Sequence, residues 1–244
     1  MKLLLEILYS FFRKETVELP APAPKPEPIE LPKEQVTIKS EEKEMPIAKP
    51  IVTGWVSELY ESGGRGVGTV STGKGDHGGA SYGKHQLSSK AGTMAAFLKS
   101  AHGKPFTEFA GLVPATEEFN KVYKQVAAKR GAEFAAAQAG YIRETHYDVQ
   151  IRKLAKAGFN FDDRHQAVRE MVYSTAVQYG PNTSIILNSG IGLLMSDAEM
   201  IEKVQSYKRD TVGVYFKSSS PAVQKSVANR ADNEKDTLLK SLIG

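Results

Sequence analysis

From about residue 53 onward, apolar and polar positions alternate with a helical period. Successive patterns run through "VTGWVSELYES", "AGTMAAFLKSA", "PATEEFNKVYKQVAAK", "GAEFAAAQAGYIRETHYDVQIRKLAKAG", "DRHQAVREMVYSTAVQYG", "PNTSIILNSGIGLL", "SDAEMIEKVQSYKRDTVGVYFKSS" and "PAVQKSVANRADNEKDTLLKSLI". Apolar residues three and four apart give each segment one face to bury. Pro114, Pro181 and Pro221 stand where helices would begin, and Gly140, Gly158 and Gly180 stand near breaks or ends. The interruption to this pattern is residues 66–87, rich in glycine with Thr-Val-Ser and Ala-Ser-Tyr pieces, which fits a small antiparallel β ribbon. The expected fold is mainly α, with one ribbon inserted after the first helix of a domain covering 53–244.

The first 52 residues have a different texture. "MKLLLEILYSFFRK" places Leu4, Ile7, Leu8 and Phe11 at helical spacing, too short an apolar run to span a membrane and without a small-residue cleavage site. Residues 1–14 read either as an amphipathic helix that docks on a partner or as one that folds back on its own domain. Residues 15–52 hold eight of the twelve prolines. Because proline has no N–H to donate, that stretch favours extended polyproline II and acts as a spacer.

Charge and composition narrow the chemistry. The formal charge of +4 is too mild to mark a nucleic-acid binder, and with nine acids against eight bases in residues 1–50 the remainder carries about +5. A moderately cationic domain suits an anionic substrate such as bacterial cell wall, or is solubilising surface. The absence of cysteine removes disulfides, thiol nucleophiles and Cys-based zinc sites.

Four readings compete for Glu61 to Ser89. A phosphate loop fails because "GKGDHGG" has no Gly-Lys-Ser/Thr entering a helix. Gly79-Ala80-Ser81-Tyr82-Gly83 matches the serine-hydrolase elbow in letters, but no alternation of strands and helices exists to build the sheet that motif needs. Asp76, His77 and His85, with Glu144 and Asp148 four apart, raise a metal-dependent amidase, yet no His-Glu-x-x-His occurs and zinc needs three converging ligands. The fourth is a pair of carboxylates for glycoside cleavage. Glu61 ends a helix bearing Trp55, Leu59 and Tyr60, with Gly63-Gly64 to stop it, so its carboxyl can project into a cleft and stay protonated. Asp76, fifteen residues on, would hold a water or support the cationic sugar, or is an acidic turn residue. Glycines would let backbone approach a sugar chain closely.

These residues carry a resemblance. Glu61-Ser62-Gly63 is similar to the Glu-Ser that opens the catalytic motif of lytic transglycosylases, and Gly83-Lys84-His85-Gln86-Leu87 to their Gly-Leu-Met-Gln segment. Gly75-Asp76-His77-Gly78-Gly79 and the run from Tyr173 to Pro181 look more like bacterial chitosanases. Together they resemble the lysozyme superfamily, in particular phage-type peptidoglycan hydrolases. The resemblance implies a two-lobed α+β fold with Glu61 as general acid and Asp76 as the water-positioning acid. It also implies a cleft tyrosine at Tyr179; Ser62, Ser81, Tyr82, His85 and Gln86 join it as candidates for sugar contacts, and for each of the six ordinary packing is the competing role. The expected function is a peptidoglycan glycosidase that needs no metal or organic cofactor, with glycan strands as partner. The expected delivery is by a phage virion, through a virion or tail protein bound to residues 1–14, to the host periplasm or cell wall. A non-catalytic glycan-binding or virion structural module, and a chitosanase, remain alternatives.

Overall fold

Four helices among the described residues start at side chains that satisfy the free N–H groups of a first turn. A computed structural model describes residues 54–61, 66–71 and 79–243. Within them the fold is mainly helical. The helices are α1 (Trp55–Glu61), α2 (Thr93–Lys99), α3 (Glu117–Lys129), α4 (Gly131–Ile142), α5 (Asp148–Lys156), α6 (Gln166–Tyr179), α7 (Ile185–Asn188), α8 (Asp197–Asp210), α9 (Val212–Tyr215) and α10 (Pro221–Lys240). Thr116 caps α3 by accepting from Phe119 N, Ser196 and Glu199 form a reciprocal capping box on α8, and Ser220 followed by Pro221 opens α10.

The segment read as one helical pattern from 131 to 158 is continuous but not uniform. Between α4 and α5 the chain makes one π-helical turn, Arg143–Tyr147. The residue pattern gives no sign of it, since a π turn keeps the same residue types and shifts only the hydrogen bonds. The pattern from Ser196 to Ser219 splits at Thr211 into α8 and α9, and "PNTSIILNSGIGLL" forms just the short α7 before Gly190 leaves helix with φ +74°.

Helix α6 is the centre of the molecule. Twelve of its fourteen residues are buried, and it packs against α1, α8, α10 and the π turn. Its sequence is correspondingly less amphipathic than that of a surface helix, and its buried set includes polar Arg169, Glu170, Ser174, Thr175 and Gln178. α8 and α10 run against each other beside it.

The ribbon is small. β1 (Ser81–Tyr82) pairs antiparallel with β2 (Leu87–Ser88), with Ser81 opposite Ser88 and Tyr82 opposite Leu87; Val70 adds a bridge to Tyr82. A two-stranded hairpin is marginal by itself. This one is held by Tyr82, whose fully buried ring lies 5.1 Å from Phe119 and 4.9 Å from Tyr123, in an aromatic cluster that continues through Phe109 and Phe134. Burial of one such ring contributes about 1.5–3 kcal/mol. Residues 1–14, the proline-rich 15–52, Gly63, Gly64, Ser62 and Asp76 lie outside the described residues.

Candidate functional site

Helix α1 is seven residues long and ends at Glu61. So short a helix has little stability of its own, and its position is set by what grips it. At its start, Gly54 N donates to Glu170 Oε1 of α6 at 3.2 Å. Gly54 has φ +74°, and a Cβ there would lie 2.4 Å from the Tyr173 ring, so the close approach of α1 to α6 requires glycine. One turn before Glu61, Glu58 pairs with Lys84 of the ribbon turn at 3.2 Å. Directly before Glu61, the Tyr60 ring lies under the Arg230 guanidinium of α10, 4.9 Å from its centroid.

The ribbon turn is Gly83-Lys84-His85-Gln86. Gly83, at φ +68°, sits where a Cβ would be 2.1 Å from Gln138 Oε1 and 2.7 Å from the Tyr123 hydroxyl. Gln86 also takes a positive φ, +50°, and its amide donates to Gly83 O at 2.9 Å, closing the turn with its own side chain. His85 is buried. Desolvation, helped by Lys84 and His146, pulls its pKa down to about 4, so the imidazole is neutral at pH 7. Its Nδ1 has no partner among the described residues, and neither has the buried Ser81 Oγ. His146, in the π turn, is partly buried; desolvation lowers its pKa to about 4, and its Nδ1 lies 2.9 Å from Thr145 Oγ1.

The other flank of α1 is ionic. Glu234, fully buried on α10, receives Arg230 Nε (2.8 Å) and Ser174 Oγ (2.7 Å) on one oxygen, and Lys208 Nζ (2.6 Å) and Gln205 Nε2 (3.3 Å) on the other. Burial by itself raises its pKa, but the charges of Lys208 and Arg230 outweigh that and hold the carboxyl down at about 2. Tyr179, the last residue of α6, borders this group: the Lys208 ammonium lies 5.8 Å from its ring centroid, and Tyr215 and Phe216 pack edge-on. Burial pushes its hydroxyl pKa up.

The candidate residues therefore divide. His85 and Gln86 share one turn, tied by Lys84 to the helix that ends at Glu61. Tyr179 stands with the ionic group on the opposite flank. Tyr82 points into the core, where its hydroxyl donates to Asn120 Oδ1 and accepts from Ala115 N, both at 2.7 Å. Ser81 is wholly buried, with its main-chain N–H donating to Ser71 Oγ at 3.0 Å. Glu144 binds His102 at 2.9 Å and Asp148 faces Arg143 at 3.7 Å, so these two acids point to separate partners. Among the described residues no three His, Asp or Glu side chains converge on a point that could hold a metal, and no helix is long and apolar enough to cross a membrane.

Sequence reasoning missed Glu170, Lys208, Arg230 and Glu234. A signal was present. Arg230 and Glu234 sit four apart inside the stripe Val223, Val227, Ala231, Leu238, and Lys208 extends the stripe Met200, Ile201, Val204. Charges that interrupt the apolar face of two neighbouring helices mark an internal ion pair.

Comparison with known proteins assigns the chain. Residues 53–235 match the family described as "Type VI secretion system spike protein VgrG3-like, C-terminal". The type VI secretion system spike protein VgrG3 of Vibrio cholerae serotype O1 is 43% identical over 190 residues, which is 77% of this chain and 18% of that protein. The chain spans less than a fifth of the length of this curated relative. These matches correct two expectations. The resemblance to phage-type hydrolases of the lysozyme superfamily, and the location in a phage virion with a tail partner, give way to a secretion-system family. The short motifs at 61–63 and 83–87 are too brief to choose between families, whereas a match over some 180 residues does so. The chain belongs to the VgrG3-like C-terminal family of type VI secretion system spike proteins.

Proposed function

We propose that the globular part, residues 53–244, is a glycosidase that cuts the β-1,4 glycan backbone of bacterial peptidoglycan. Glu61 donates its proton to the glycosidic oxygen, the bond from that oxygen to the anomeric carbon breaks, and the sugar left behind carries oxocarbenium character. Asp76 orients a water or supports that positive charge. If water adds, the product is a free reducing end; if a hydroxyl of the same sugar closes on the anomeric carbon, it is an anhydro-sugar. Ser62, His85 and Gln86 are the proposed sugar-binding set, with the buried Ser81, Tyr82 and Tyr179 as supports behind them.

The observation that carries this reading is where α1 stops. Its last residue is Glu61, and the preceding turn is tied on one flank to Lys84 of the ribbon and on the other to Arg230 of α10. The end of a helix held from both flanks is a backbone position suited to carrying a proton donor. The neutral imidazole of His85 on the ribbon flank adds a hydrogen-bonding group suited to a sugar. Kinship with secretion-system spike proteins supports delivery to a target envelope, where the wall is the accessible β-1,4 glycan. In this reading residues 15–52 are a spacer, and residues 1–14 dock on a component of the secretion apparatus.

The test is Glu61→Gln on purified peptidoglycan. Release of soluble fragments falls by orders of magnitude while the melting temperature holds. Undiminished release would leave a binding module in its place. Mass spectrometry of the released muropeptides identifies the bond cut and distinguishes water addition from ring closure; faster cleavage of deacetylated chitosan than of wall would reassign the substrate.

A further inference from the structure

We infer that Tyr60 and Arg230 are positioning residues that aim the acid at Glu61, an inference that rests on Glu61 being the proton donor. Of the three grips on α1, the Gly54–Glu170 bond is at the far end of the helix, and the Glu58–Lys84 pair is about a third exposed on both sides and so open to solvent screening. The third grip is immediately before Glu61 in the chain and rests on a buried foundation. Arg230 is 6% exposed. Its Nε is bonded to Glu234 at 2.8 Å and its Nη2 lies 3.5 Å from Ser174 Oγ, which fixes the guanidinium plane that meets the Tyr60 ring. Glu234 in turn is held from α8 by Lys208 and Gln205 and from α6 by Ser174. Moving Arg230 would leave a fully buried carboxylate short of a countercharge, so the three helices α6, α8 and α10 jointly lock the cation in place.

The contact that results is a planar cation on an aromatic face, which sets the ring's tilt as well as its distance. Because residue 61 follows residue 60 directly, a shift of the Tyr60 ring turns the terminal turn of α1. None of these groups belongs to the aromatic cluster under the ribbon, and the mechanism proposed above uses none of them.

The experiment measures kcat and KM on soluble peptidoglycan fragments for Tyr60→Leu, Tyr60→Phe and Arg230→Lys, beside Glu61→Gln. Tyr60→Leu removes the aromatic face from a half-buried site and lowers kcat by about tenfold to a hundredfold, the scale of loss for misplacing a catalytic group by an ångström, with KM and melting temperature little changed. Tyr60→Phe keeps the face and retains wild-type kcat. Arg230→Lys keeps the charge on Glu234 but loses the planar partner, and lowers kcat as Tyr60→Leu does. A wild-type kcat in Tyr60→Leu overturns the inference, and so does a loss of kcat in Tyr60→Phe equal to that in Tyr60→Leu. Should Arg230→Lys not fold, the two Tyr60 variants decide. Activity in Glu61→Gln would sink the proton-donor reading itself; an inactive Glu61→Gln beside a fully active Tyr60→Leu sinks the positioning alone.

Discussion

The two flanks of α1 are tied by ionic groups of very different burial. On the flank of α6, α8 and α10, Arg230, Lys208, Ser174 and Gln205 all direct a donor to Glu234, in a space closed to water. On the ribbon flank, one partly exposed ion pair makes the tie, while the buried His85 Nδ1 and Ser81 Oγ have no partner among the described residues. Buried polar atoms are ordinarily satisfied, and the exceptions call for an explanation. The contrast teaches that the tie on the first flank is buried and supported from three helices, whereas the tie on the second is open to solvent; unpartnered buried polar atoms occur on both, Gln205 Oε1 and Thr175 Oγ1 on the first as well as His85 Nδ1 and Ser81 Oγ on the second. A helix of two turns between them borrows rigidity from the first and faces the second.

The largest expected effect breaks the holding flank. Lys208→Met removes one of two cations from a buried carboxylate, and we expect a loss of roughly 3–5 kcal/mol, the usual cost of breaking a buried pair from one side. Urea unfolding measures it; a loss below about 1 kcal/mol would mean that Arg230 alone neutralises Glu234.

Acidification probes both flanks at different pH. His85 and His146 are lowered from 6.5 to about 4 by burial, so the unfolded chain binds protons that the folded one refuses. Their contribution is complete above pH 6.5 and is lost as pH falls from 6.5 towards 4, each imidazole giving up at most about 1.4 kcal/mol per pH unit crossed. The contribution of Glu234, whose pKa is held down at about 2, is complete above the ordinary carboxylate range and is lost between about pH 4.5 and 2. A melting temperature that falls between pH 6.5 and 4 in the wild type, and falls less in His85→Gln, is the expected record; a flat profile across that window would contradict the burial of these imidazoles.

Tyr82→Phe is next. It keeps the ring in the aromatic cluster but removes the hydroxyl's bonds to part-buried Asn120 Oδ1 and to Ala115 N, which water can reach, and should cost about 0.5–1.5 kcal/mol in urea unfolding, the usual net worth of a hydrogen bond. Fragment release per folded molecule should persist, since this hydroxyl is committed inside the fold. The smallest effect is Lys84→Met. The pair it breaks is about a third exposed, so stability should change by less than about 1 kcal/mol, and any larger change would assign Lys84 a role beyond that pair.

Much of the fold is legible in the residues alone. Helical periodicity marks most of the elements, and Pro221 opens its helix as read, whereas Pro114 and Pro181 stand three and four residues before theirs. The end of α1 at Glu61, and a ribbon after it, follow from the glycines downstream. The π turn at Arg143–Tyr147 and the break at Thr211 are not legible, since both are shifts in hydrogen bonding that cost little locally and are settled by what packs alongside. Short motifs point to the wrong family, and a match along most of the chain corrects them.

The order of residues by itself determined most of the helical segments, where the ribbon falls and which residue ends α1, because each depends on neighbours within a turn or two. Which groups grip that helix was decided by the tertiary structure. Glu170 is 116 residues from the Gly54 that it holds, and Arg230 is farther still in the chain from the Tyr60 that it covers. No local rule could pair them. Burial did, because a charge taken out of water must find its countercharge, and in this fold the countercharges meet behind the end of α1.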